Sequence, residues 1–82
     1  MKQNYTGLFE DELKDLFREL KKGDYILFNG AEYHACPTIY YDGIIVHDED
    51  MFLVIDHGMR SYINTYYLAC LLAHKDFVLS RI

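Results

Sequence analysis

The sequence has no tryptophan, one proline and two cysteines among 82 residues, and no apolar run near the roughly 20 residues that span a bilayer. Each shortage excludes a class. Cys36 and Cys70 lie far apart, so the chain lacks the disulfide framework of small secreted domains, and reduced, buried thiols are expected. No apolar run of leader length follows Met1–Thr6, and Leu8 and Phe9 are succeeded at once by Glu10, Asp11 and Glu12, so a cytoplasmic location with no membrane partner is expected. With 51% apolar residues and a net charge of −5, disorder is excluded. A chain of this length buries about 60% of its unfolded surface, which points to one small domain over residues 1–82 without a large active-site cleft.

Positive charge is also scarce, and unevenly so. Residues 1–23 hold five acids and five bases, whereas residues 24–82 hold eight acids and three bases, so the whole excess falls on the second part. Nucleic-acid affinity comes mostly from phosphate neutralisation by Lys and Arg. Direct binding of nucleic acid is therefore not expected, and a protein partner with a basic surface is.

Over residues 8–22, Leu13, Leu16, Phe17 and Leu20 recur at the spacing of one helical face, with Phe9 a turn earlier. Thr6 is positioned to cap this helix, Glu10, Asp11 and Glu12 to favour its N-terminal dipole, and Lys21, Lys22 and Gly23 to end it. Glu10 with Lys14 and Asp15 with Arg18 read as exposed pairs of little energetic weight. Strand formers at Asp24–Phe28 then lead to the Asn29-Gly30 turn pair. Residues 31–37 read as a loop into an edge strand, because Pro37 holds Cys36 extended. Ile39-Tyr40-Tyr41 and Ile44-Ile45-Val46 flank Asp42-Gly43, a hairpin turn or a bulge in one bent strand. A charged turn at residues 47–50 precedes Met51–Ile55; with the reversal at residues 48–51, Val46 would face Leu53 and Ile44 would face Ile55.

The nearly continuous apolar runs suggest burial on both faces. His57-Gly58 closes the strand, and residues 60–63 form a short further one. Asn64 or Thr65 then caps a second helix over Tyr66–His74, apolar nearly all round and expected to be buried. Residues 76–82 alternate as a final strand. The order α-β-β-β-β-α-β gives an α+β domain: an N-terminal amphipathic helix, an antiparallel sheet or small barrel of four to five strands, and a second buried helix before the last strand. Lys22–Phe28, Tyr41–Ile45 and Asp48–Val54 are together similar in strand-and-turn rhythm to SH3-like small barrels. The likeness spans residues 22–56 and implies a fold without carrying any functional residue.

Several clusters could carry chemistry. His34, Cys36, Cys70 and His74 are four zinc-ligand types, the last two at i, i+4 spacing. His-x-Cys is not a standard finger half, and small core cysteines with surface histidines are the plainer reading, so no metal or other cofactor is assigned. His47-Asp48-Glu49-Asp50 and Asp56-His57 invite a hydrolase reading, but hairpin geometry sets the two histidines about 15 Å apart, too far for one ion. A Cys–His dyad is disfavoured because an apolar helix raises the cost of the thiolate. There is no phosphate loop and no nucleophile elbow, and an enzyme is not expected.

Eight tyrosines are many for this length. Of the adjacent Tyr40 and Tyr41, one faces outward beside Asp42, and exposed tyrosine among carboxylates is good interface material. Tyr40, Tyr41, Asp42, Asp48, Glu49 and Asp50 are thus the expected partner-binding residues of a non-catalytic binding module. Its size and acidity are similar to those of small phage-type anti-defence inhibitors that occupy the basic groove of a nucleic-acid enzyme. The alternatives are a Cys/His metal-stabilised or catalytic domain and a self-associating homo-oligomer, since an open meander leaves edges.

Overall fold

A computed structural model describes residues 1–35, 38–47 and 50–82, with the backbone alone at 38–41 and 46–47. The elements run β1 (Lys2–Tyr5), α1 (Glu10–Arg18), β2 (Tyr25–Phe28), β3 (Ala31–Ala35), β4 (Thr38–Tyr41), β5 (Ile44–His47), β6 (Met51–Asp56), β7 (Met59–Asn64), α2 (Thr65–Leu72) and β8 (Phe77–Ser80). Six strands form one antiparallel open sheet in the order β1-β8-β2-β3-β6-β7, and β4 pairs with β5 in a separate two-stranded sheet. The molecule is α+β, as its patterning implies. No helix among the described residues is long and apolar enough to cross a membrane.

Register decides which sheet face holds the core. Ile26 pairs with Leu79 and with Tyr33, and Tyr33 with Val54, so these four share one face, all buried. Phe52 and Phe77 fall on the same face by alternation, and Leu13, Leu16, Phe17, Leu68, Ala69 and Leu72 of the two helices close over it. Phe17 meets Phe52 edge to face at 5.2 Å. The opposite face carries Tyr25, His34, Leu53 and Tyr62 in one row and Leu27, Glu32 and Ile55 in the next, all half-buried.

Three two-residue turns organise the sheet. Asn29-Gly30, Asp42-Gly43 and His57-Gly58 each take positive φ at both positions (49° and 79°, 46° and 82°, 49° and 78°), the mirror-image turn whose twist suits antiparallel strands. Asp42-Gly43 is therefore a hairpin turn and not a bulge, with Tyr41 opposite Ile44.

The structure corrects several expectations. The sheet is open, with β1 and β7 at its edges, so it is not an SH3-like barrel, and its six strands exceed the expected four or five. Strand β5 pairs with β4, while β6 pairs with β3 and β7; Val46 does not face Leu53. Strand β6 finds its partners in β7, through the His57-Gly58 turn, and in β3, the segment read from sequence as a loop. Residues 31–35 form a regular strand where a loop was expected, and Lys2–Tyr5 add a first strand ahead of α1.

Helix α1 spans less than its apolar stripe. Phe9 precedes it, donating its N–H to Glu12 Oε1 at 3.2 Å, while the Thr6 hydroxyl bonds to Asp76. Beyond Arg18 the chain turns onto Asp24, a buried carboxylate that accepts from the Lys21 N–H at 2.8 Å and the Ile82 N–H at 3.0 Å. Asn64 does cap α2, accepting from the Tyr67 N–H at 2.6 Å. That helix is not buried all round: Leu68, Ala69 and Leu72 face the core, and Tyr66 and Tyr67 are exposed.

Candidate functional site

The expected partner-binding residues fall on the β4–β5 hairpin and its root. Ile44 and Ile45 are 65% and 53% exposed, and neighbours in a strand point to opposite faces, so this arm presents apolar surface on both sides. Asp42 is exposed in its turn, and the register sets Tyr40 opposite Ile45 and Tyr41 opposite Ile44. The side chains of Tyr40 and Tyr41, and residues Asp48 and Glu49, lie outside what is described. Asp50 is at the other end of the arm: its carbonyl accepts from both the Thr65 N–H at 2.7 Å and the Thr65 hydroxyl at 2.8 Å. Of the acids read as one cluster in sequence, Asp42 is therefore at the tip and Asp50 at the root, separated by the length of β5, about 13 Å.

The arm departs from the main sheet through a register break. Ala35 pairs with Phe52, and the next pair described is Thr38 with His47. The two pairs belong to different sheets, the first to the six-stranded body and the second to the arm.

At this root lies a cleft of about 770 Å³ that sequence reasoning missed. Lys14 and Arg18 of α1 and Lys21 and Lys22 of the following loop line it, against Asp50 as the one acid among the described residues. Half of the eight lysines and arginines of the chain thus converge here. Phe17, Leu20, Met51 and Phe52 supply apolar lining, and Tyr66 contributes from the first turn of α2. Lys14 Nζ sits 5.0 Å from the centre of the Tyr66 ring, and Arg18 bonds Asp15 at 3.1 Å in an exposed pair. The signal lay in the spacing of 14, 18, 21 and 22, a helix-period basic stripe. A charge count over residues 1–23 hides it, because Glu10, Asp11 and Glu12 occupy the first turn of α1.

The zinc constellation is not assembled. His34 lies on the sheet face away from the helices, bonded to Glu32 Oε2 at 3.1 Å and stacked on Tyr25 at 5.3 Å. Cys70 is exposed on α2, not in the core. His74 lies past the end of that helix with φ of 60°, donates its N–H to the Leu8 carbonyl at 2.8 Å and packs on Phe9, so it does not share a helix face with Cys70. Cys36 is outside the described residues. Among those described, no group of three or more His, Cys, Asp or Glu could hold a metal ion. His57 instead pairs with the adjacent Asp56 at 3.4 Å in an exposed turn, and the hairpin on which its separation from His47 was reckoned does not exist.

Two phenols titrate above their usual range. Tyr33 is raised chiefly by burial, then by the nearby Asp56. Tyr66 is raised by its hydrogen bond with Cys70, one helical turn on, and by repulsion from Cys70 and Glu10. Comparison with protein-family models, curated proteins and solved structures gives no match.

Proposed function

We propose that this chain is a non-catalytic protein-binding module whose contact element is the β4–β5 arm, docking on a partner surface that combines positive charge with an apolar groove. One observation carries the reading: Ile44 and Ile45 are open to solvent on opposite faces of a hairpin that shares no ladder with the main sheet. A lone two-stranded hairpin is marginal in water, and exposed apolar surface rimmed by charge is characteristic of contact sites. Asp42 at the tip gives the arm the sign that a basic partner selects. The anti-defence form of the reading, an inhibitor seated in the groove of a nucleic-acid enzyme, adds the identity of that partner and draws support only from the acidity and size of the chain.

The test is capture from the source cell's lysate at low and high salt with the native chain, Asp42→Lys and Ile44→Ser/Ile45→Ser. A stoichiometric partner held by the native chain, weakened by salt and lost with both arm variants at unchanged melting temperature, is the expected result. A partner retained by both variants would overturn the reading.

A further inference from the structure

We infer that the arm of one molecule docks in the basic cleft of a second copy, reciprocally, so that the chain forms a two-fold dimer clasped by its arms. This rests on the reading of the arm as a contact element and names its occupant.

Charge is the first argument. Asp42 at the arm's tip is exposed, and residues 38–47 carry no lysine or arginine, whereas the cleft brings together Lys14, Arg18, Lys21 and Lys22. A protein of net charge −5 would ordinarily repel its own copy; here four positive charges are gathered at one place, where the Asp42 carboxylate of an incoming tip meets attraction. Apolar chemistry matches as well. Phe17, Leu20 and Met51 line the cleft, and Ile44 beside the arm's turn is a side chain of the kind such a floor accepts.

Geometry selects a second copy. The cleft lies at the arm's own root, since Ala35 and Asp50 line it, and the paired strands hold the tip about 13 Å from that root. A tip cannot fold back into its own cleft without breaking its ladder. Two molecules with arms antiparallel, however, place each tip at the other's root, and one two-fold axis satisfies both contacts together. The same arrangement sets an outer strand edge of one arm beside that of the other, covering one of the two edges that each hairpin has.

Charge exchange tests this in the full chain. Asp42→Lys changes only the arm, and Lys21→Glu/Lys22→Glu only the cleft; all three positions are exposed. Sedimentation velocity across concentration should show a native dimer that dissociates about tenfold more readily in each variant alone. An equimolar mixture of the two variants should restore the dimer, because both clasps of that heterodimer again join opposite charges. Melting temperatures of the variants verify their fold.

A native chain that stays monomeric at all concentrations overturns the inference, and the arm reading then stands or falls on the capture experiment. A dimer weakened by the arm variant but not by the cleft variant keeps the arm and overturns the cleft as its seat. A dimer indifferent to both variants, with no rescue on mixing, overturns the clasp altogether. Binding of a single-stranded oligonucleotide that is lost in Lys21→Glu/Lys22→Glu, without dimerisation, would assign the cleft to a polyanion and overturn the inference.

Discussion

The β2–β3 and β4–β5 hairpins share the same two-residue turn, with Phe28 facing Ala31 in one and Tyr41 facing Ile44 in the other. Their surroundings are opposite: Ile26 in the first is fully buried, while Ile44 in the second is 65% exposed. Turn chemistry therefore sets the local reversal in both, and burial against the helices distinguishes a structural strand from a contact strand. The two also differ in pattern. Body strands alternate buried and half-exposed positions, as in Phe52 and Val54 against Met51, Leu53 and Ile55, whereas Ile44-Ile45 places bulky apolar groups on both faces with no layer to receive either.

The sharpest way to break this contrast is paired truncation. Leu68→Ala, at a fully buried position, should cost about 2–5 kcal/mol in chemical denaturation, and Ile44→Ala should stay within about 0.5 kcal/mol. Equal losses would make the arm part of the core. A smaller effect sharpens the boundary between the regions. Asp24 accepts two backbone N–H bonds through its carboxylate, and its carbonyl accepts from the Ala35 N–H at 3.0 Å where β3 gives way to the arm. Asp24→Ala should cost about 1–3 kcal/mol, since two backbone N–H groups lose a charged acceptor.

The smallest effect is confined to alkaline pH. The Tyr33 phenol is raised by burial and by Asp56, so the fold favours its neutral form. Its penalty is absent below the unfolded phenol range and grows as pH rises above about 10. Tyr33→Phe should flatten the loss of stability with pH in that window and leave the neutral-pH slope unchanged. A native slope identical to that of the variant would remove Tyr33 from the account.

What the sequence made legible was local. The stripe Leu13, Leu16 and Phe17, the Asn29-Gly30 and Asp42-Gly43 turns, the Asn64 cap and the alternation of Phe77 and Leu79 all depend on neighbours within a few residues, and the structure holds them. Lys2–Tyr5 has no apolar pattern because it is an edge strand defined by β8, about 75 residues away along the register. Glu32 and His34 hide β3 because they face the side without helices. The Asp42-Gly43 turn pointed to β4 as a partner of β5, but the partners of β6 could not be read from composition, since either neighbouring strand satisfied the same apolar pattern. Of the candidate site, Asp42 and Asp50 were found but joined wrongly, and the cleft was lost because it exists only where α1, a loop and α2 meet.

The roots of the arm give it a mechanical character. On one side Ala35 is held by the Asp24 carbonyl, and on the other Asp50 is held twice by Thr65 at the start of α2. Both flanks of the arm are thus tied by hydrogen bonds to backbone outside the arm, and the second tie adjoins Tyr66 on the cleft wall, so the arm's anchorage and the cleft share a structural element, the start of α2.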